Sequence, residues 1–441
     1  METNNSQLFN HCRNVLDKNR RGDYTIPSGK IYPHQWLWDS CFTAIGLRHY
    51  DVARAQRELE SLLRGQWDNG MLPNMIFAPD FRYCLERTFW NSSGAVNATK
   101  SIATSCITQP PMLAEAVVSV GQKLSQHDRQ LWYRKMLPPL ISHHKWLYAE
   151  REPNNRGLAV QIHPYESGMD NTPTWISELL KYHHPWWRPI YKYLPLDFLI
   201  NLLRRDIKPG NKLTRINNFD SLLYIDILWR FRRRQYDIKK ILSHDRFLVE
   251  DLAFNCILIK ANRHLVAIAK QINHALPEEL LAGMKRTETA LDELWDNQTQ
   301  SYYPRSFKQN KLIKETTIAG LLPLYSGAIS QKRAKLLVGK LLDPQNFGAN
   351  YPVPSVALNS KWFREKRYWQ GPTWINSNWL IIQGLRDYGF DLEADNLTKT
   401  SLELVAKHGS NEYFSPITGA PIGAKNFSWT AALIIDLIGQ E

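Results

Sequence analysis

The sequence predicts an all-α protein in which paired helices are arranged in a ring. Helical periodicity dominates the 441 residues, and segments with the strict alternation of a half-buried strand are nearly missing. Where predicted helices end, a polar turn with aromatic residues recurs, as QWDNGMLP at 66–73 and LWDNQTQSYYP at 294–304. Helix pairs that repeat in this way bury their apolar faces on their neighbours. The loops at one end are then free to build a site.

Eleven segments carry the helical pattern. The first, 39–49, begins with Asp39, whose charge complements the N-terminal end of the helix dipole. The second, 51–63, places Val52, Ala55 and Leu59 on one face. Several of the others begin with Pro or Asp, as helices often do. The remaining nine span 111–124, 128–149, 221–234, 246–272, 277–295, 329–342, 372–388, 392–407 and 427–438.

No low-complexity linker divides the chain, so we predict a single domain over residues 1–441. The least regular part is 181–218, which contains HHPWWRP at 183–189 and KPGN at 208–211. This segment interrupts the helical pattern and is predicted to be an insertion. A lid over a site and a structural packing loop are equally compatible with it.

Composition limits the class of protein. Hydrophobic residues make up 43% of the chain and aromatic residues 12%, which is enough for a sizeable core. The polar first seven residues predict no secretory signal, and no run approaches the eighteen apolar residues of a membrane span. The five cysteines form no CxxC pair, so neither a disulfide framework nor a zinc site is indicated. We therefore expect a cytoplasmic protein with reduced thiols.

Positive charge is concentrated in one region. The net charge is +13, and residues 181–246 alone hold fifteen Lys and Arg against six Asp. A solvated helix face, a local anion site and a contact between subunits of a homo-oligomer all fit such a surplus. No nucleic-acid module is recognisable, and basic charge by itself is weak evidence for one. We expect no nucleic-acid partner.

Two distant stretches each place one carboxylate among turn residues and aromatics. Residues 163–175 read HPYESGMDNTPTW and contain Asp170, and residues 411–419 read NEYFSPITG and contain Glu412. Hydrolysis of a glycosidic bond commonly uses two carboxylates that flank one oxygen. Taken alone, Asp170 equally suits a turn or helix cap, and Glu412 a surface loop. Glu166 is a rival to Asp170 within the first stretch.

Two aromatic clusters have the composition of a sugar site. They read YPHQWLWD at 32–39 and RYWQGPTWIN at 367–376. A pyranose offers apolar C–H faces and a belt of hydroxyls, so stacked rings with carboxylate and amide acceptors are its natural partners. Trp369 and Trp374 are five residues apart and both could face one cavity. Each cluster alone is equally compatible with core packing.

The motifs Tyr-x-x-Gln-Trp-x-Trp-Asp, Ser-Gly-x-Asp-Asn-x-Pro, Tyr-Trp-x-Gly-Pro-x-Trp and Glu-Tyr-Phe-x-Pro-x-Thr-Gly occur here in that order. Together they resemble glycoside hydrolase family 63, and most closely its compact members that hydrolyse glucosylglycerate or mannosylglycerate. The resemblance spans about 32–429 and implies an (α/α)6 barrel and an inverting hydrolase of α-linked sugars. It implies Asp170 as the general acid and Glu412 as the general base. The sugar subsite would be lined by Tyr32, Trp36, Trp38, Asp39, Gln109, Trp369, Gln370, Gly371 and Trp374.

These roles carry physical requirements. An inverting pair leaves room for a water, so its carboxyl groups lie about 6.5–9.5 Å apart. The acid stays protonated near neutral pH only if burial or a neighbouring negative charge raises its pKa, and Glu166 and Asp39 are candidate neighbours. A glycerate leaving group carries a carboxylate, for which arginine is the natural bidentate partner. The basic region offers Arg188, Arg204, Arg205 and Arg215.

Other functions remain as alternatives. These are a catalytically silent sugar-binding relative, an α-glucosidase or trehalase-like enzyme acting on a neutral disaccharide or glucan, and a helical-barrel enzyme such as a terpene cyclase. The polar residues inside the aromatic clusters argue against the apolar cavity of a cyclase. We predict no metal, because no HExxH or similar ligand pattern occurs. We predict no cofactor, because no Gly-rich phosphate loop is present, and the missing GxSxG motif leaves acyl-serine chemistry unsupported.

Overall fold

The computed structural model describes residues 2–29, 31–191 and 214–440, together with Asp197, Ile200, Asn201 and Arg204. Helices dominate this part of the chain, which confirms the predicted all-α class. The insertion at 181–218 is described only in part, and Arg205 and the KPGN sequence at 208–211 lie outside the described residues.

Six helices form an inner ring. Each packs against the next along the chain, and the last packs against the first, so the ring is closed. Each inner helix also packs against one helix of an outer ring, which makes the fold an (α/α)6 barrel. The inner helices are Leu37–Leu47, Leu113–Gly121, Leu252–Gln271, Pro323–Ser326, Ile375–Asp387 and Ser428–Ile438. The outer helices are Glu2–Asn19, Val52–Leu63, Gln126–Glu150, Glu278–Ala290, Gln331–Leu342 and Asp391–His408.

Burial follows the position of a helix in the barrel. All eleven residues of the inner helix Leu37–Leu47 are buried, because it touches other helices on every side. The outer helix Val52–Leu63 buries one face through Ala55, Leu59 and Leu62 and exposes the other. Leu252–Gln271 is the one helix in the described part that is long and apolar enough to cross a membrane. It is mostly buried as an inner helix of the barrel, which accounts for its composition.

The predicted helices are found at their positions, with ends that differ by a few residues. The largest difference is at 246–251, where a short strand, Val249–Glu250, precedes the helix Leu252–Gln271. The first outer helix, Glu2–Asn19, was not predicted, because its polar residues obscure the apolar stripe of Leu8, Cys12 and Val15. The other unpredicted helices with described bounds are short: Cys84–Trp90, Pro173–Tyr182, Arg188–Tyr191, Ile238–His244 and Pro323–Ser326. The helix predicted at 221–234 spans Asn218–Arg233.

The strands and 3-10 turns belong to the connecting loops, and no strand in the described residues exceeds five residues. All strand pairs are antiparallel. The pairs are Arg20–Arg21 with Tyr24–Thr25, Gln35–Trp36 with Met75–Ile76, Trp295–Asp296 with Ser301–Tyr302, and Asn411–Phe414 with Pro421–Lys425; Arg305–Ser306 pairs with both Val249–Glu250 and Lys311–Leu312. The 3-10 turns are Phe81–Tyr83, Ser92–Gly94, Pro164–Ser167, Leu291–Leu294 and Ile318–Leu321.

Two hydrophobic cores result from this arrangement. The larger lies within the barrel and between its two rings. The smaller packs the inserted loops through Trp67, Trp175, Leu223 and Phe254, among others. All five cysteines are free thiols, and only Cys84 is partly exposed. The loops that carry the sequence motifs are therefore supported from both cores.

Candidate active site

The predicted site residues converge at the N-terminal ends of the inner helices. Residues 32–39 enter the first inner helix, Gln109 precedes the second, 369–374 enter the fifth, and Glu412 lies ahead of the sixth. Asp170 comes just before the inserted helix Pro173–Tyr182. The N-terminal ends of the inner helices lie at one end of the closed ring. Loops that are far apart in the sequence therefore lie side by side at that end of the barrel.

Asp170 lies at the end of a tight turn. The preceding 3-10 turn, Pro164–Ser167, ends at Gly168, whose φ is +70°. A side chain at Gly168 would come within 2.6 Å of the Trp38 ring, so only glycine allows this approach. The backbone carbonyl of Asp170 accepts a 2.7 Å hydrogen bond from the Tyr224 hydroxyl. The turn thus holds the carboxyl group of Asp170 at the wall of a cavity.

The Asp170 carboxyl is suited to holding a proton near neutral pH. Burial, and next the negative charge of Glu412, raise its pKa to about 7. The Tyr368 hydroxyl donates a hydrogen bond to it, which lowers the pKa in part. Among the neighbouring charges Glu412 therefore contributes most, whereas Glu166 is paired with Arg151. Asp39 is also close, since the charge of Asp170 contributes to the raised pKa of Asp39.

Glu412 lies on the hairpin formed by Asn411–Phe414 and Pro421–Lys425. Its Oε2 accepts a 2.8 Å hydrogen bond from the Ala424 amide, and its Oε1 accepts one of 2.8 Å from the Tyr32 hydroxyl. Gly423 has a φ of +76°, and a side chain there would meet Oε2 at 2.6 Å. The hairpin therefore requires glycine at 423 in order to hold the carboxylate in this position.

Arg215 forms a buried, bidentate ion pair with Glu412. Its Nη1 donates to Oε1 at 2.8 Å, and its Nη2 donates to Oε2. The guanidinium lies over the rings of Tyr32, Tyr368 and Tyr413, at 5.4–5.7 Å from their centroids. Its Nε–H is buried and has no hydrogen-bond partner in the described part of the chain.

Two tyrosines connect the two carboxyl groups. The Tyr32 hydroxyl contacts Glu412, and the Tyr368 hydroxyl contacts Asp170. The two hydroxyl oxygens are 3.5 Å apart. Tyr368 has a φ of +43°, which is unusual for a residue with a side chain, and its amide donates to the Thr214 carbonyl at 3.0 Å. Asp170 and Glu412 thus belong to one connected group of side chains.

Glu166, the rival to Asp170, has a structural role. It is fully buried and forms an ion pair with Arg151 at 2.6 Å. Its oxygens also accept hydrogen bonds from the backbone amides of Ile162, at 2.8 Å, and Thr108, at 3.3 Å. Because both oxygens of Glu166 already accept hydrogen bonds within the protein, Glu166 supports the turn that carries Asp170.

Asp39 lies in the first turn of the innermost helix Leu37–Leu47 and is buried. Burial, together with the charges of Glu412 and Asp170, raises the pKa of Asp39 well above its usual range. Gln109 accepts a 3.4 Å hydrogen bond from the Trp38 amide through Oε1. Gln370 donates one of 3.0 Å to the Asn171 carbonyl. Both glutamines therefore tie neighbouring loops together.

The tryptophans of the motifs form a buried aromatic layer. Trp369 and Trp374 stack face to face, with centroids 4.0 Å apart and planes 1° apart, and they are only 1% and 0% exposed. Neither ring lines the cavity at Asp170, although their spacing in the sequence had allowed both to face one cavity. Trp38 and Trp429 pack edge to face at 5.5 Å beside them. A side chain at Gly371 would meet the Arg364 carbonyl at 2.3 Å, so glycine is needed there.

A cavity of about 300 Å³ opens beside these groups. Among the predicted residues, Tyr32, Trp36 and Asp170 line it, while the others are buried and lie outside its lining. Of the arginines of the insertion, Arg204 and Arg215 line the cavity. Arg188 instead donates to the carbonyls of Leu180 and His183 at the end of a helix.

Several buried polar atoms near the motifs have no partner in the described residues. They include the indole nitrogens of Trp36 and Trp429 and both side-chain amide atoms of Asn376. Buried polar groups are normally hydrogen-bonded, so these atoms are suited to the hydroxyls of a ligand. No group of three or more His, Cys, Asp or Glu that could hold a metal occurs among the described residues.

The chain matches the model of the mannosylglycerate hydrolase MGH1-like glycoside hydrolase domain over residues 32–430. It belongs to this family of glycoside hydrolases. Mannosylglycerate hydrolase of Thermus thermophilus is 38% identical over 426 residues, which cover 96% of this chain and 98% of the relative. Glucosylglycerate hydrolase of Mycolicibacterium hassiacum is 30% identical and is aligned over 98% of each chain.

Solved structures agree with this family assignment. The crystal structure of a family 63 mannosylglycerate hydrolase from Thermus thermophilus, in complex with Tris and D-glycerate, matches with a TM-score of 0.88 and 37% identity. The match covers 98% of this chain and 100% of that one. A neutral trehalase from Saccharomyces cerevisiae matches with a TM-score of 0.59 at 17% identity, which indicates a shared barrel fold.

Sequence reasoning did not single out every residue of this group. Tyr368 stands inside a quoted motif, but its contact with Asp170 depends on a left-handed backbone that the motif does not reveal. Asn376 ends the quoted cluster at 367–376 but was not singled out, and Trp429 carried no signal beyond its place at the start of an inner helix. Arg215 was one of four candidate arginines, and only the fold brings it to Glu412.

Proposed function

We propose that this hydrolase cleaves the α-glycosidic bond of a glycosylglycerate, with inversion at the anomeric carbon. The relatives named for mannosylglycerate and glucosylglycerate support the substrate class. The different environments of Asp170 and Glu412 support the division of roles between them. Asp170 is the general acid and Glu412 the general base.

The observation that carries the proposal is the contrast between these two carboxyl groups. The Asp170 pKa of about 7 keeps a proton available near neutral pH, and its side chain lines the cavity. Glu412 receives four donors, from Tyr32, Ala424 and the two ends of the Arg215 fork. All four use the oxygens of Glu412 as acceptors, as the carboxylate of a general base does before it takes a proton from water.

The reaction follows from these roles. Asp170 gives its proton to the glycosidic oxygen as the bond to the anomeric carbon breaks. Glu412 removes a proton from a water that attacks the same carbon on the opposite face of the ring. The products are a sugar of inverted anomeric configuration and free glycerate. Exchange of protons with solvent then restores Asp170 to the acid form and Glu412 to the base form.

Arg215 is the group that best fits the carboxylate of a glycerate. It lines the cavity, its Nε–H has no partner in the described residues, and it comes from the basic insertion. A substrate carboxylate would share the guanidinium with Glu412 and loosen the bidentate pair. Recognition of the anion would then free an oxygen of the general base. From the insertion, Arg204, Arg215 and Ile216 form part of the cavity wall in this scheme.

Two substrates that differ only in the charge of the leaving group test whether Arg215 recognises the glycerate carboxylate. We expect Arg215→Lys to lower kcat/KM for α-mannosylglycerate by about 100-fold, because a lysine cannot replace the fork. The loss for α-mannosylglycerol, which differs by a neutral CH2OH in place of the carboxylate, should be at least about tenfold smaller. Arg188→Lys, in the same segment but outside the cavity, is the control. Equal losses on both substrates would show that Arg215 acts only through Glu412.

The anomer released tests the mechanism. Proton NMR during the first minutes of turnover on α-mannosylglycerate should show the β-anomer of mannose before mutarotation. Release of the α-anomer would contradict inversion and the role of Glu412 as base. Release of sugar only from trehalose or a short α-glucan would contradict the glycerate substrate and leave the catalytic pair in place.

A further inference from the structure

A second cavity, of about 350 Å³, lies apart from the candidate active site. It shares no lining residue with the cavity at Asp170. Its walls come from the loop after the helix Val52–Leu63, from 95–97, from the end of the helix Gln126–Glu150, and from 235–241. The volume lies at the lower end of the range for small-molecule sites.

The aromatic walls of this cavity are held in place by the protein. The Trp67 indole donates a 3.0 Å hydrogen bond to the Thr104 hydroxyl, and the Tyr236 hydroxyl donates to the Trp90 carbonyl. Trp146 is fixed by the Arg151 guanidinium, which lies 5.0 Å from its ring centroid. Ring surfaces fixed in this way need no ordering when a ligand binds.

Polar groups complete the lining. Amide side chains come from Asn69, Asn97 and Gln235, and a carboxylate comes from Glu150. Arg151 is only 3% exposed, lines the cavity, and has an Nε–H without a hydrogen-bond partner in the described chain. A buried donor of this kind normally has a partner, and a ligand oxygen would supply one.

Charge in the lining is nearly balanced. The Arg151 guanidinium is already paired with Glu166, and Asp237 caps the helix Ile238–His244 through the Lys240 amide. Glu150 and the exposed Lys239 have opposite signs. An ion would gain little from such a lining, whereas hydroxyls can use the amides, the carboxylate and the free N–H. We propose that this cavity binds a neutral pyranose sugar, separately from the active site.

The position of the cavity relates it to the catalytic loops. Arg151 contacts Glu166, which accepts a hydrogen bond from the Thr108 amide next to Gln109 and supports the turn of Asp170. On another wall, the Tyr236 hydroxyl donates a hydrogen bond to the backbone carbonyl of Trp90, and Trp90 lines the cavity at Asp170. A sugar in the second cavity would therefore touch Arg151 and Tyr236, which are connected through Glu166 and Trp90 to two parts of the active site.

Gln235 offers a clean variant for testing the proposal. Gln235 and Tyr236 have consecutive left-handed φ values of 52° and 57°. Gln235→Gly removes the amide at a position whose backbone suits glycine, so folding is preserved. Gln300→Gly is the matched control, because Gln300 has the same φ of 52° on a loop outside both cavities.

The experiment follows the indole N–H signals of tryptophan in the full chain by NMR, with signals assigned through Trp67→Phe, Trp146→Phe and Trp36→Phe. D-glucose and D-mannose are titrated in turn, with glycerol, D-glycerate and sulfate as comparison ligands. We expect the Trp67 and Trp146 signals to shift in a saturable way with a sugar, with a midpoint of about 1–50 mM. Trp36 reports the active-site cavity separately.

We expect Gln235→Gly to raise the sugar midpoint at Trp67 and Trp146 about fivefold, as for one lost hydrogen bond, and Gln300→Gly to leave it unchanged. Three results would overturn the proposal. The Trp67 and Trp146 signals could stay fixed up to about 100 mM of either sugar, a concentration well above the expected midpoint. They could respond only to sulfate or D-glycerate, or Gln235→Gly could titrate like the wild type.

Discussion

The loop of Asp170 and the hairpin of Glu412 each hold one carboxyl group in a fixed position, but they surround it with different partners. Each uses a glycine of positive φ, Gly168 or Gly423, to bring a carboxyl group close to bulky neighbours. Asp170 then receives a hydroxyl donor from Tyr368, whereas Glu412 receives a guanidinium. Burial and the charge of Glu412 raise the pKa of Asp170 to about 7, whereas the oxygens of Glu412 accept four donors. In the proposed mechanism, these different partners divide the acid and base roles between the two carboxyl groups.

Removing either carboxyl group should have the largest effect. We expect Asp170→Asn and Glu412→Gln each to lower kcat on α-mannosylglycerate by about 1,000-fold or more, because proton transfer at one side of the bond is lost. Both variants keep side-chain volume, so circular dichroism and Tm should stay close to the wild type. Near-wild-type turnover in either variant would remove that residue from the mechanism.

The glycine beside Glu412 should have the next largest effect. A methyl group in Gly423→Ala would press on Glu412 Oε2, so we expect kcat to fall by about 10- to 100-fold as the base is displaced. Gly389→Ala is the matched control, since Gly389 has a φ of +73° but no atom within 4 Å of the added methyl. The control should lose about 1 kcal/mol of stability from backbone strain and keep its kcat. Equal kcat values in the two variants would contradict this account of Gly423.

Glu166 provides a further contrast with Asp170, because it lies only four residues earlier in the sequence but forms an ion pair with Arg151. We expect Glu166→Gln to lower the free energy of unfolding by about 3–5 kcal/mol, since the buried Arg151 loses its counter-charge. The kcat of the folded protein should stay within about tenfold of wild type, because no proton donor is lost. Asp80→Asn, at an exposed pair with Arg82, should change stability little. A stable but inactive Glu166→Gln would exchange the roles of Glu166 and Asp170.

Removing the Tyr368 hydroxyl should have the smallest effect, which is a shift in the pH dependence of kcat/KM. In the proposed mechanism Asp170 acts as an acid and must be protonated, so kcat/KM should fall as the pH rises above about 7, the pKa of Asp170. The Tyr368 hydroxyl lowers that pKa, so Tyr368→Phe should raise it and move the alkaline limb to higher pH. Tyr413→Phe, whose hydroxyl donates to Thr214, is the control. A shift to lower pH would contradict the contact with Asp170.

Much of the architecture could be predicted from local pattern. A helix shows its buried face within a few turns, so segments such as 51–63 and 392–407 were located from periodicity alone. The first outer helix, Glu2–Asn19, was missed because its apolar stripe is narrow. Its place in the barrel depends on contact with the last helix, Ser428–Ile438, at the other end of the chain.

The sequence by itself determined the helical class, the motifs and the candidate carboxylates Asp170 and Glu412, because these depend on residue types and short spacings. Only the tertiary structure decided the partners. Arg215 meets Glu412 across 197 positions, Trp369 stacks on Trp374 inside the protein, and Glu166 is neutralised by Arg151. Such contacts form when the ring of helices closes and water is excluded. Burial and partner charge, which set the chemistry of each carboxyl group, exist only in the folded chain.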